Sequence, residues 1–66
     1  MRRYKVRVWS LRASYWTPTI EAQDAYDALD KARRYLRATP GLEDMARWQL
    51  SAVDEASWQA ARVEEG

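Results

Sequence analysis

Residues 3–11 read Arg-Tyr-Lys-Val-Arg-Val-Trp-Ser-Leu and residues 24–36 read Asp-Ala-Tyr-Asp-Ala-Leu-Asp-Lys-Ala-Arg-Arg-Tyr-Leu, and the change of period between them decides the fold. In the first stretch Tyr4, Val6 and Val8 alternate with Lys5, Arg7 and Trp9, the two-residue period of a strand with one face turned to a core. In the second, Ala25, Ala28, Leu29, Ala32 and Leu36 recur at steps of three and four, which is the apolar stripe of a helix. Asp24 suits the N-cap and Asp27 adds an acid to the first turn, while Arg33, Arg34 and Arg37 gather where the helix dipole favours cations. Asp27–Lys31 and Asp30–Arg34 are acid-before-base pairs four residues apart, each worth about 0.2–0.5 kcal/mol. Thr39-Pro40-Gly41 stops the helix.

Between these stretches a second extended segment is expected over residues 15–23, with Trp16, Ile20 and Ala22 on one face and Tyr15, Thr17, Thr19 and Glu21 on the other. Pro18 has no N–H to give a ladder, so this strand belongs at a sheet edge or carries a bulge there. The link Arg12-Ala13-Ser14 is short, which predicts an antiparallel hairpin with the first strand, itself expected over residues 3–11. Downstream of a linker or single turn at residues 42–46, Trp48-Gln-Leu-Ser-Ala-Val53 and Trp58-Gln-Ala-Ala-Arg-Val63 form an imperfect repeat. It reads as a strand over residues 47–53, a turn at residues 54–57 and a further strand. The alternative is a short helix over residues 54–64, whose Ala, Glu, Gln and Arg favour that state. The expected fold is α+β: a small antiparallel sheet with one helix packed on the face carrying Val6, Val8, Ile20 and Leu50, in the order β-β-α-β-β or alternatively β-β-α-β-α.

At 66 residues the chain has room for a single domain, 1–66, and a domain of this size buries only about 60% of its unfolded surface. Cys and His are both absent, which excludes disulfides and the usual zinc sets, and no acidic calcium loop appears. The two glycines, Gly41 and Gly66, cannot cradle a phosphate. Nucleophilic or general-base chemistry would fall to Ser, Thr, Lys, Tyr or carboxylates, and no spacing assembles such a set. The sequence therefore predicts no catalytic residues, no metal site, no cofactor and no enzymatic activity. The longest uncharged stretch, residues 13–20, is far short of a membrane span, so a soluble cytoplasmic protein without membrane contact is expected.

Net charge is only +1, yet residues 1–20 carry +5 and residues 41–66 carry −4. This asymmetry supplies two candidate partner-binding surfaces. Arg3, Lys5, Arg7, Trp9 and Leu11 share the face of the first strand opposite the expected core, with Arg12 just beyond. The acids Glu43, Asp44, Asp54 and Glu55 would form a second surface able to mimic phosphate against a basic groove. A basic face tipped by an indole suits an acidic protein surface, because Trp and Arg are common hot-spot residues. It also suits a single nucleic-acid strand, with bases stacked on Trp9 and phosphates on the cations. A third reading gives the cations a solubilising role only, with Trp9 partly covered by their stems. The pI of about 8.1 lies below the range of dedicated nucleic-acid binders, usually above about 9. Trp16, Trp48 and Trp58 are expected in the core or at a subunit interface, and exposed indoles on a small sheet suggest self-association or a partner's pocket; a further alternative is a homodimeric structural protein whose sheets join through strand edges.

The order Tyr4-Lys-Val-Arg-Val8, then Pro18-Thr-Ile-Glu-Ala22 running into Ala25-Tyr-Asp-Ala-Leu29-Asp-Lys-Ala32, then a Trp-led strand, resembles the small ββαβ-type proteins of phages and other mobile elements. That group includes anti-CRISPR and other host-defence inhibitors. The resemblance spans roughly residues 4–54 and rests on pattern and size. It implies a stoichiometric inhibitor of a host protein or nucleoprotein complex. It transfers no site residues, because members share architecture without a common site.

Overall fold

The computed structural model describes residues 1–57. In chain order it comprises β1 (Arg2–Trp9), β2 (Ser14–Trp16), β3 (Ile20–Ala22), α1 (Ala25–Ala38), a 3-10 turn (Glu43–Arg47) and β4 (Gln49–Asp54). This is the α+β arrangement the periods call for, an antiparallel four-stranded sheet with one main helix against it. β1 lies in the middle. β4 pairs along one of its sides, while β2 and β3 share the other, opposite residues 7–9 and 2–4 respectively.

Pro18 explains why the second extended segment is two short strands. Between the pairs Tyr4↔Ile20 and Arg7↔Trp16, β1 contributes Lys5 and Val6, whereas the facing chain contributes Thr17, Pro18 and Thr19. The one extra residue is a β-bulge. Thr17 N–H donates to the Val6 carbonyl at 3.0 Å. As the chain swings out at Pro18, the Thr17 hydroxyl takes over as acceptor and receives the Val6 N–H at 3.1 Å. Thr17 is accordingly buried, the one polar residue in the core among those described.

The bulge reverses the alternation of faces, and this corrects the expected facing. Ile20 and Ala22 do turn to the core, but Trp16 pairs with Arg7 and so lies on the opposite face. Tyr15 and Thr17, expected to face away, lie on the core side: Tyr15 pairs with Val8 and its hydroxyl is 3.4 Å from that of Tyr35. That hydrogen bond, with burial second, raises the Tyr15 pKa above its ordinary value.

Tyr4, Val6 and Val8 of β1 meet Ala28, Ala32 and Leu36 of α1, joined by Ala22 and Ala46. Alanines at the contact let the helix approach the sheet closely, and Leu36 fills the remaining depth. Asp24 caps the helix through Oδ1, which accepts the Asp27 N–H at 2.8 Å, while Asp27 Oδ2 accepts the Gln23 N–H at 3.0 Å. The bond from Gln23, aided by Lys31 at 3.3 Å, holds the Asp27 carboxyl below its ordinary pKa. Arg34 reaches Asp30 at 2.7 Å, so both expected helix pairs form. At the far end Thr39 Oγ1 donates to the Tyr35 carbonyl at 2.6 Å, and Gly41 takes the left-handed φ of 89° that reverses the chain.

Two boundaries differ from expectation. β1 ends at Trp9 because Ser10 N–H donates to the Ala13 carbonyl at 2.8 Å, closing the hairpin turn and leaving Leu11 in solvent. β4 begins at Gln49 because the 3-10 turn occupies residues up to Arg47. Residues 55–57 are helical, in step with the alternative reading of a helix opening after β4. The strand expected through Trp58 to Val63 lies outside the described residues. Among those described, no helix is long and apolar enough to cross a membrane.

Candidate binding site on the open sheet face

α1 and the 3-10 turn send their buried residues to the side of Tyr4, Val6 and Val8, and neither covers the other face of the sheet. Alternation along β1 places Arg3, Lys5, Arg7 and Trp9 there in a row. Cross-strand register then adds their neighbours: Glu21 beside Arg3, Val53 beside Lys5, Trp16 and Ser51 on either side of Arg7, and Ser14 and Gln49 flanking Trp9.

The row is polarised. At its N-terminal end Arg3 lies opposite Glu21, and its Nε is 3.4 Å from Glu55 Oε2, so this cation is offset by acids on both sides. Toward the hairpin end no acid pairs with β1. Instead the Arg7 guanidinium sits over the Trp9 ring, 5.0 Å from its centroid, with Trp16 across the strand. Such a cation–π contact contributes about 0.5–1 kcal/mol at an exposed site. Arg12 is exposed in the turn beyond, where its N–H donates to Ser10 Oγ at 3.3 Å.

A groove of about 500 Å³ continues this surface around the hairpin end, lined by Trp9, Ser10, Leu11, Arg47, Trp48 and Gln49. It brings together two indoles, a cation and a leucine fully exposed to solvent. Leu11 thus contributes from the turn and not from the strand.

The acidic candidates do not form one surface. β4 runs from Gln49, opposite Trp9, to Asp54, opposite Tyr4, which carries Asp54 and Glu55 to the Arg3 end. Glu43 and Asp44 open the 3-10 turn that precedes β4, and there Glu43 Oε2 accepts the Gly41 N–H at 3.0 Å. The two pairs sit toward opposite ends of the central strand. Adjacency in sequence charge did not become adjacency in space, because β4 lies between them.

Of the basic candidates, Arg3, Lys5, Arg7 and Trp9 are brought together as expected, with Arg12 at the rim. Trp16, Arg47 and Trp48 are additions, while Leu11, expected on the outer face of the strand, joins from the turn. The signal for Trp16 was present in Thr17-Pro18: a bulge of one residue, once assumed, moves its indole to the basic face. Arg47 and Trp48 carried no such signal, since only the tertiary return of the chain sets them beside Trp9. Among the described residues, no cluster of three acids forms that could hold a metal ion. The chain matches no protein-family model, no curated protein and no solved structure.

Proposed function

We propose that this protein is a non-catalytic binding module that docks the hairpin half of its open sheet face on an acidic surface of a partner protein. The observation that carries the reading is the Arg7 guanidinium stacked on Trp9, a preorganised cation whose cross-strand neighbour is a second indole, Trp16. A stacked arginine has already lost much of its side-chain freedom, so binding costs less ordering entropy. Trp and Arg are also the residue types that dominate interface energetics. In keeping with its resemblance to small phage proteins, the mode of action we infer is stoichiometric inhibition of a cytoplasmic host protein or nucleoprotein complex, CRISPR machinery being one such target.

The same pair of indoles favours a second reading, a single nucleic-acid strand stacked on Trp9 and Trp16. Titration of the protein with single- and double-stranded DNA and RNA at several salt concentrations separates the two. On the protein-partner reading none of the four polymers binds at micromolar affinity near physiological salt. Micromolar binding with a linear log–log salt dependence, flattened by Arg7→Ala, would instead assign the face to nucleic acid.

A further inference from the structure

The two edges of the sheet are built differently. Along one, β2 and β3 have three residues each and are separated by Pro18 and its bulge, devices that blunt an edge against pairing. Along the other, β4 runs six residues, Gln-Leu-Ser-Ala-Val-Asp, without proline, glycine, lysine or arginine. Among the described residues β4 pairs only with β1.

The direction of its backbone groups follows from Val6. Val6 N–H and C=O turn toward Thr17, so alternation along β1 turns those of Lys5, Arg7 and Trp9 toward Val53, Ser51 and Gln49. By the same alternation the N–H and C=O of Leu50 and Ala52 point away from the sheet. Side-chain burial agrees: Val8 and Val6 are fully buried, whereas their register partners Leu50 and Ala52, on the same face, are half-buried.

Charge at the two ends of β4 selects the occupant. Exposed Arg47 precedes the strand, and Asp54 and Glu55 follow its uncharged stretch. A second copy of β4 laid antiparallel brings Arg47 of each chain toward the Asp54–Glu55 end of the other, while a parallel copy sets like charges together. Within each chain Glu55 also lies 3.4 Å from Arg3 Nε, which holds the carboxylate at this end of β4.

We propose that β4 is a self-pairing edge, so that two copies of this chain join antiparallel across a two-fold axis perpendicular to the sheet. Leu50 and Ala52 of one copy exchange backbone hydrogen bonds with Ala52 and Leu50 of the other, with Ser51 at the axis. An axis in this direction keeps both open faces on the same side of one continuous sheet. The Arg7–Trp9–Trp16 surface is thereby presented twice, in a geometry suited to a repeated or two-fold target.

Sedimentation of the full chain across a series from micromolar to millimolar concentration tests this. The expected result is a mass that rises from 7.8 kDa toward twice that value. Ala52→Pro removes an N–H that points away from β1, so the fold should persist, by circular dichroism and melting, while the mass stays at the monomer value throughout. Should that variant fail to fold, Arg47→Glu decides: it should weaken the dimer about tenfold, and adding Glu55→Lys in the same chain should restore it. A wild-type chain that remains a monomer at every concentration overturns the proposal. A dimer indifferent to both Ala52→Pro and Arg47→Glu overturns it as well, because the copies would then meet elsewhere.

Discussion

The two faces of β1 are made of neighbouring residues and obey different rules. Tyr4, Val6 and Val8 are at most 6% exposed, so they matter through packing. Arg3, Lys5, Arg7 and Trp9, one residue away in each case, carry charge and aromatic surface on the face opposite α1. The contrast shows how a short chain divides its work. Stability is concentrated on one face, and on the other lies a surface whose composition folding alone does not require.

Substitutions can break this contrast, and their effects should fall in a definite order. The largest is expected on the core side: Leu36→Ala empties a fully buried site and should cost about 2–5 kcal/mol in chemical denaturation, enough to unfold much of so small a domain. Next is Thr17→Val. It keeps the shape but takes the acceptor from the buried Val6 N–H, an expected loss of about 1–3 kcal/mol by the same measurement. Asp24→Ala removes the helix cap and should cost about 1 kcal/mol. On the open face, Arg7→Glu should change stability by no more than about 1 kcal/mol, the scale of one exposed cation–π contact.

The smallest effect is one of pH. Because the Gln23 N–H and Lys31 lower the Asp27 pKa in the folded state, its ionised form is favoured by folding. Its contribution is present above the unfolded carboxyl pKa and is lost as pH falls through the depressed folded value. Asp27→Asn should therefore flatten the acid limb of a stability–pH profile and leave the shape of the alkaline limb as it was.

The sheet and helix were legible because their periods are local: the alternation of Tyr4, Val6 and Val8 and the three-four spacing of Ala28, Ala32 and Leu36 each fix one face. The basic row followed from the same alternation. Trp16 was not legible in this way, since its facing depends on whether Thr17 to Thr19 absorb one residue too many, and that is settled by the bond from Val6 N–H to the Thr17 hydroxyl. The supposed acidic surface dissolved for a related reason. Charge summed along residues 41–66 takes no account of β4 carrying Asp54 away from Glu43. Arg47 and Trp48 meet Trp9 only through the return of β4, contacts that no single stretch of sequence contains.

The division between the faces is tested most directly by affinity capture from host extract with the wild-type chain and the Arg7→Glu variant, each checked for its melting curve. A host protein retained by the wild type should be lost with Arg7→Glu while the two melting temperatures stay within a few degrees. Retention of the same protein by a folded Arg7→Glu variant would contradict the assignment of the open face as the binding surface.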